Sequence, residues 1–115
     1  MARKRRNDRN HVIYLLTCSE TNRQYIGLTV ARGRAYKKSA AIRWRAHVRN
    51  ATQYELQTVL YDAIRATGAE AWDIEVFEVV RGKQAAHDRE RELIAQRLPA
   101  LNMEGMGRKS TSRHV

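Results

Sequence analysis

Cysteine is almost absent. The only one among the 115 residues, Cys18, has no intramolecular partner, so packing must hold the fold, as suits a reducing compartment. Long apolar runs are missing too. Nothing approaches the roughly 20 apolar residues that a membrane-crossing helix needs. The run Val12–Leu16 is too short for the core of a secretory signal, is set apart from Arg3–Arg6 by Asn7, Asp8, Asn10 and His11, and has no small-residue cleavage site after it. A cytoplasmic, membrane-free protein is expected. The third shortage is acidic charge: 12 Asp and Glu against 22 Lys and Arg leave a formal charge of +10. That excess asks for a polyanionic partner, nucleic acid ahead of a membrane surface. No internal repeat is visible, and the length fits one domain without a separate recognition domain.

What is present is organised around His11–Val30. Two runs of strand formers, HVIYLLTC and RQYIGLTV, flank the polar cluster Ser19–Asn22, the pattern of a β-hairpin. In the first run Val12, Tyr14, Leu16 and Cys18 share one face while Ile13, Leu15 and Thr17 share the other. A turn of two or four residues pairs even positions of the first strand with odd positions of the second, which puts Tyr14, Tyr25 and Gly27 on one face. Glycine inside a strand weakens it, and one reason to keep it is close approach of another group. The two phenols therefore form either a reactive floor or an ordinary packed pair.

Residues 1–10 carry Arg3, Lys4, Arg5, Arg6 and Arg9 with almost nothing apolar, and read as a loose basic arm able to touch phosphates. Ala31–Lys38 reads as a basic loop, in which Arg32, Arg34, Lys37 and Lys38 surround Gly33 and Tyr36. Ser39 can cap a helix through AAIRWRAHVRNA. On it Arg43 and His47 stand four apart on one face, where two cations would repel unless an anion lies between them or His47 stays neutral. Arg45 and Arg49 extend the basic character of this helix. Tyr54–Thr67 has a core-helix pattern ended by Gly68, and Ala71–Val80 alternates as a third strand, with Trp72 and Phe77 assigned to packing.

The last helix, Lys83–Leu98, stops at Pro99 and aligns Ala86, Glu90, Leu93, Ile94 and Arg97 on one stripe. A carboxylate facing a core is costly without a partner. No basic residue lies four positions to either side of Glu90, and His87 at i−3 is its one near neighbour on the helix. Something outside the helix should meet it: Arg43, a metal ion, or both. Asp88 and Glu92 fall off the stripe and read as surface charges. Residues 103–115 read as a second loose basic tail.

With these residues placed, residues 11–102 resemble a GIY-YIG nuclease domain of the stand-alone, homing-endonuclease or excision-repair kind. Val12-Ile13-Tyr14 stands where GIY stands, with Val in place of the Gly. Tyr25-Ile26-Gly27 is a literal YIG, Arg43-Trp44-Arg45-Ala46-His47 resembles an R-W-x-x-H helix, Glu90-Arg91-Glu92-Leu93-Ile94 resembles E-x-x-L-I, and Asn102 stands where a family asparagine closes the domain.

The resemblance implies an α+β fold, a three-stranded antiparallel sheet flanked by about three helices, and a metal-dependent endonuclease. It further implies that Glu90 binds one Mg²⁺ or Mn²⁺, that Arg43 steadies the scissile phosphate, and that Tyr14 or Tyr25 handles the attacking water with help from His47. A carboxylate suits Mg²⁺, and a guanidinium fork suits phosphate oxygens. Nucleic-acid contacts are expected from Arg5, Arg6, Arg32, Arg34, Lys37, Lys38, Arg45, Arg49 and Asn102, with DNA preferred to RNA. Specificity would come from the arms, the basic loop, a homodimer or a partner protein, and compactness suggests by analogy a phage or mobile element. The competing reading is a catalytically silent basic module in a larger DNA or RNA assembly.

Overall fold

The computed structural model describes residues 8–103. At its centre lies strand β1 (Asn10–Cys18), in which Val12 through Leu16 are all buried. A strand apolar on both faces is stable only inside a covered sheet. Accordingly β1 sits between β2 (Gln24–Val30) and β3 (Trp72–Arg81), antiparallel to both, in the order β2-β1-β3. The Cys18 amide donates to the Arg23 carbonyl and the Asn22 amide to the Cys18 carbonyl, which closes the turn over Ser19–Asn22. Asn22 there takes a φ of 61°, a conformation asparagine tolerates. Tyr14 pairs with Gly27 and Leu16 with Tyr25, the even-with-odd register expected from the pattern.

Helices cover both faces of the sheet. Val12, Tyr14, Leu16 and Cys18 pack with Ala40 and Ala51 of α1 (Tyr36–Thr52) and with Leu60 and Ile64 of α2 (Val59–Thr67). On the other face Ile13, Leu15 and Ile26 meet Leu93 of α3 (Lys83–Arg97). Trp72 packs as expected: its ring centroid is 5.8 Å from that of Trp44, and its Nε1 donates to Thr67 Oγ1 at 2.9 Å. Phe77 joins the α3 side at a bulge opposite Ile13 and Tyr14. Arg97 departs from the expected stripe, being exposed and lying 4.8 Å above the Phe77 ring.

Three boundaries differ from the sequence reading, each because of a hydrogen bond that periodicity does not reveal. α1 starts at Tyr36, so Lys37 and Lys38 are helical and Ser39 lies inside the helix. The Ser39 hydroxyl donates to the Ala35 carbonyl at 2.7 Å and accepts from the Arg32 amide at 2.9 Å, tying loop to helix in place of capping it. α2 starts only at Val59, because the Thr58 hydroxyl accepts from the Tyr61 amide at 3.1 Å and caps it, leaving Tyr54 and Leu56 exposed. The fold also begins ahead of His11. Asp8 pairs with Arg81 at 2.9 Å, and the Arg9 carbonyl accepts from the Gly82 amide. Arg5 and Arg6 lie outside the described residues.

After α3 the chain turns at Leu98 and Pro99 into a last helical turn, residues 100–103. Asn102 then clamps the outer side of β2, accepting from the Ile26 amide at 2.8 Å and donating to the Ile26 carbonyl at 3.0 Å. Both ends of its carboxamide are engaged by the protein. The structure thus gives Asn102, expected among the nucleic-acid contacts, a role in holding β2. Asn102→Ala should lower stability by about 2 kcal/mol, since it removes two hydrogen bonds to one buried backbone unit; urea unfolding measures the change.

Candidate active site

Tyr14, Tyr25, Arg43 and Glu90 line one cleft of about 320 Å³, with His11, Leu28 and His87 on its walls. Strands β1 and β2 deliver the phenols, α1 the guanidinium and α3 the carboxylate. Gly27 is what lets them meet. A Cβ there would lie 2.3 Å from both Cζ and the hydroxyl oxygen of Tyr14, so the Tyr14 ring reaches across β2 over the bare backbone. The glycine therefore does not floor the cleft; it makes room for the ring that does.

Behind the phenols lies a chain of buried hydrogen bonds. The Tyr14 hydroxyl is 2.7 Å from His47 Nε2, His47 Nδ1 is 3.0 Å from the Tyr61 hydroxyl, and Asn50 Nδ2 donates to that hydroxyl at 3.0 Å. A neutral imidazole donates from one ring nitrogen and accepts at the other, so His47 joins the Tyr14 and Tyr61 hydroxyls in one chain. His47 is 2% exposed. Burial, reinforced by the Arg43 charge, lowers its pKa to about 4. The like-charge conflict on the Arg43 face of α1 is thus resolved by a neutral imidazole.

Burial also raises both phenols. For Tyr14 the neighbouring Tyr25 adds to the rise, while Arg43, within hydrogen-bonding reach, opposes it. For Tyr25 the second contribution is the Glu90 charge, again opposed by Arg43. The Glu90 carboxyl is raised by burial against the pull of His87 and Arg91. Its oxygen lies 3.9 Å from His87 Nδ1, and Arg43 has no ion pair among the described residues. A half-buried carboxylate and an unpaired guanidinium thus share one opening. A hard oxygen donor with no arginine or lysine on it, facing a cleft wide enough for an ion and its waters, fits a divalent cation. Asp88 pairs with Arg91 and Glu92 with Arg89, as surface charges should.

The remaining expected contacts do not converge on this cleft. Arg32, Arg34, Lys37 and Lys38 are exposed around the start of α1. Arg45 and Arg49 are exposed on the far side of the helix, since two residues past Arg43 is about 200° around its axis. Four participants escaped sequence reasoning as site residues. Asn50 stands at i+3 from His47, which was a usable signal. His87 was visible only as a neighbour of Glu90, while Tyr61 and His11 carry no local mark.

An acid and a cation with no ion pair among the described residues share one cleft, backed by two phenols. Residues 10–103 match the family model of the GIY-YIG catalytic domain, and the chain belongs to the GIY-YIG family, a family of endonucleases acting on DNA. No curated protein and no solved structure gives a significant match. Among the described residues no helix is long and apolar enough to cross a membrane.

Two outcomes follow from this geometry. The unfolded chain protonates His47 near pH 6.5 and the folded one near 4, so between these values the unfolded state holds more protons and acid favours unfolding. Stability should rise by about 3 kcal/mol from this residue as pH goes from 4 to 6.5. An NMR titration of the His47 ring checks the cause, and a midpoint at its ordinary value would refute it. Gly27→Ala should cost about 2 kcal/mol or more by forcing the Tyr14 ring off its place, seen as a lower urea midpoint and a broken Tyr14–His47 hydrogen bond.

Proposed function

We propose that this chain is a metal-dependent endonuclease that hydrolyses phosphodiester bonds in DNA. The observation that carries the reading is the pairing, across one cleft, of a guanidinium without a counter-ion and a carboxylate without a salt-bridging arginine or lysine. Each leaves a charge uncompensated that a phosphate and a cation would complete.

Glu90 would hold one Mg²⁺ or Mn²⁺, which when bound supplies Lewis-acid polarisation of a phosphoryl oxygen and a water of lowered pKa. Arg43 presents its planar fork to the phosphate and offsets the charge that builds on the oxygens during attack. Both phenols are held neutral by burial, so they orient the attacking water by hydrogen bonding and do not act as unaided bases. His47 Nε2 holds the Tyr14 hydroxyl from behind and fixes its direction. The exposed cations at the start of α1, with Arg45 and Arg49 on its outer face, would add sequence-independent phosphate contacts. Selectivity would come from these contacts, from a second copy, or from a partner protein.

A plasmid-nicking assay with Mg²⁺ or Mn²⁺ should show cleavage that Arg43→Ala lowers roughly 10²-fold or more and Glu90→Gln abolishes, while DNA binding by anisotropy survives in both. Salt-sensitive binding by the wild type without turnover on any DNA or with either metal would instead establish the silent basic module.

A further inference from the structure

Glu90 does not face the cleft alone. His87, one turn earlier on α3, lines the same opening, with Nδ1 3.9 Å from a Glu90 oxygen. The i,i+3 spacing puts the two side chains on one helix face. Neighbouring groups of α3 are committed elsewhere: Arg91 to Asp88, and Arg89 to Glu78 at 2.8 Å and to Glu92 at 2.7 Å. No hydrogen bond within the described residues takes up the His87 ring, whose side chain is 44% exposed. An imidazole nitrogen and a carboxylate oxygen therefore open together onto one cleft.

We propose that His87 is a second protein ligand, beside Glu90, to the divalent cation, and that it biases the site towards Mn²⁺ and Co²⁺ over Mg²⁺. This rests on the assignment of a cation to Glu90 made above. Neighbouring donors about 2.1 Å from an octahedral ion stand about 3.0 Å apart, so the 3.9 Å separation closes onto one ion with a rotation of the exposed His87 ring. Imidazole nitrogen is a good donor to first-row transition ions and a poor one to Mg²⁺, which keeps oxygen ligands and water. No group of three or more His, Cys, Asp or Glu among the described residues is placed to hold a metal. The remaining positions fall to water and phosphate oxygens, which leaves the coordination open as hydrolysis requires.

The rival role for His87 is that of a protonated counter-ion to Glu90, and the two roles separate by spectroscopy. The full chain loaded with Mn²⁺ should show ¹⁴N modulation in electron spin echo spectra, from a directly bound ring nitrogen. His87→Ala should erase it and weaken Mn²⁺ binding roughly tenfold, while Mg²⁺ binding, followed by competition, changes less than about twofold. A protonated His87 would compete with the cation, so under the rival role His87→Ala leaves Mn²⁺ binding unchanged or tighter; circular dichroism checks that the variant is folded. Unchanged ¹⁴N modulation, or Mn²⁺ binding unchanged or tighter, in His87→Ala overturns the proposal. Mn²⁺ binding lost in Glu90→Gln but intact in His87→Ala overturns this proposal alone. Mn²⁺ binding absent from the wild type, or intact in Glu90→Gln, overturns the cation at Glu90 and this inference with it.

Discussion

Tyr14 can reach across strand β2 only because residue 27 has no side chain, and most of the candidate site hangs on that reach. The ring covers the Gly27 backbone at a distance where a single extra carbon would overlap it. Its hydroxyl then meets His47, which α1 brings down onto the same face, and His47 in turn meets Tyr61 from α2. Two strands and two helices are thus registered against one another through hydrogen bonds between buried polar groups. Such bonds are directional, and leaving one unmade in the interior is expensive. The sheet order and the helix positions are consistent with this chain from end to end.

Electrostatics divides the site into a quiet interior and a charged opening. Below, burial keeps His47, Tyr14 and Tyr25 neutral, so the hydrogen-bonded chain carries no net charge. Above, Arg43 and Glu90 carry opposite charges onto the same cleft without an ion pair between them among the described residues. Groups in that condition would be stabilised by a ligand offering both signs, and a phosphodiester with a divalent cation is such a ligand. The excess positive charge elsewhere, on the loop before α1 and on its outer face, is exposed and set apart from the cleft.

How much of this was legible in the chain varies with the range of the interaction. Alternation in His11–Val30 announced the hairpin, its even-with-odd pairing and the common face of Tyr14 and Tyr25, because period two is a local property of strands. The isolation of Glu90 on its helix was legible for the same reason, since neighbours at three and four positions can be read directly. Helix starts were not, because the Ser39 and Thr58 hydroxyls act through loop geometry that the pattern of apolar residues does not encode. Arg97 escaped its stripe by lying on Phe77, a residue from another element. Asn102 was read by resemblance as the residue that closes the domain, but its partner, a strand edge 76 positions earlier, carries no local mark.

The sequence by itself determined the kinds of element, the family they resemble and which titratable groups stand out, because periodicity and residue chemistry are written locally. Only the tertiary structure decided that Gly27 serves Tyr14, that His47 stays neutral between two phenols, and that His87 shares a cleft with Glu90. Those facts depend on burial and on distances between separate elements, and neither exists until the chain has folded.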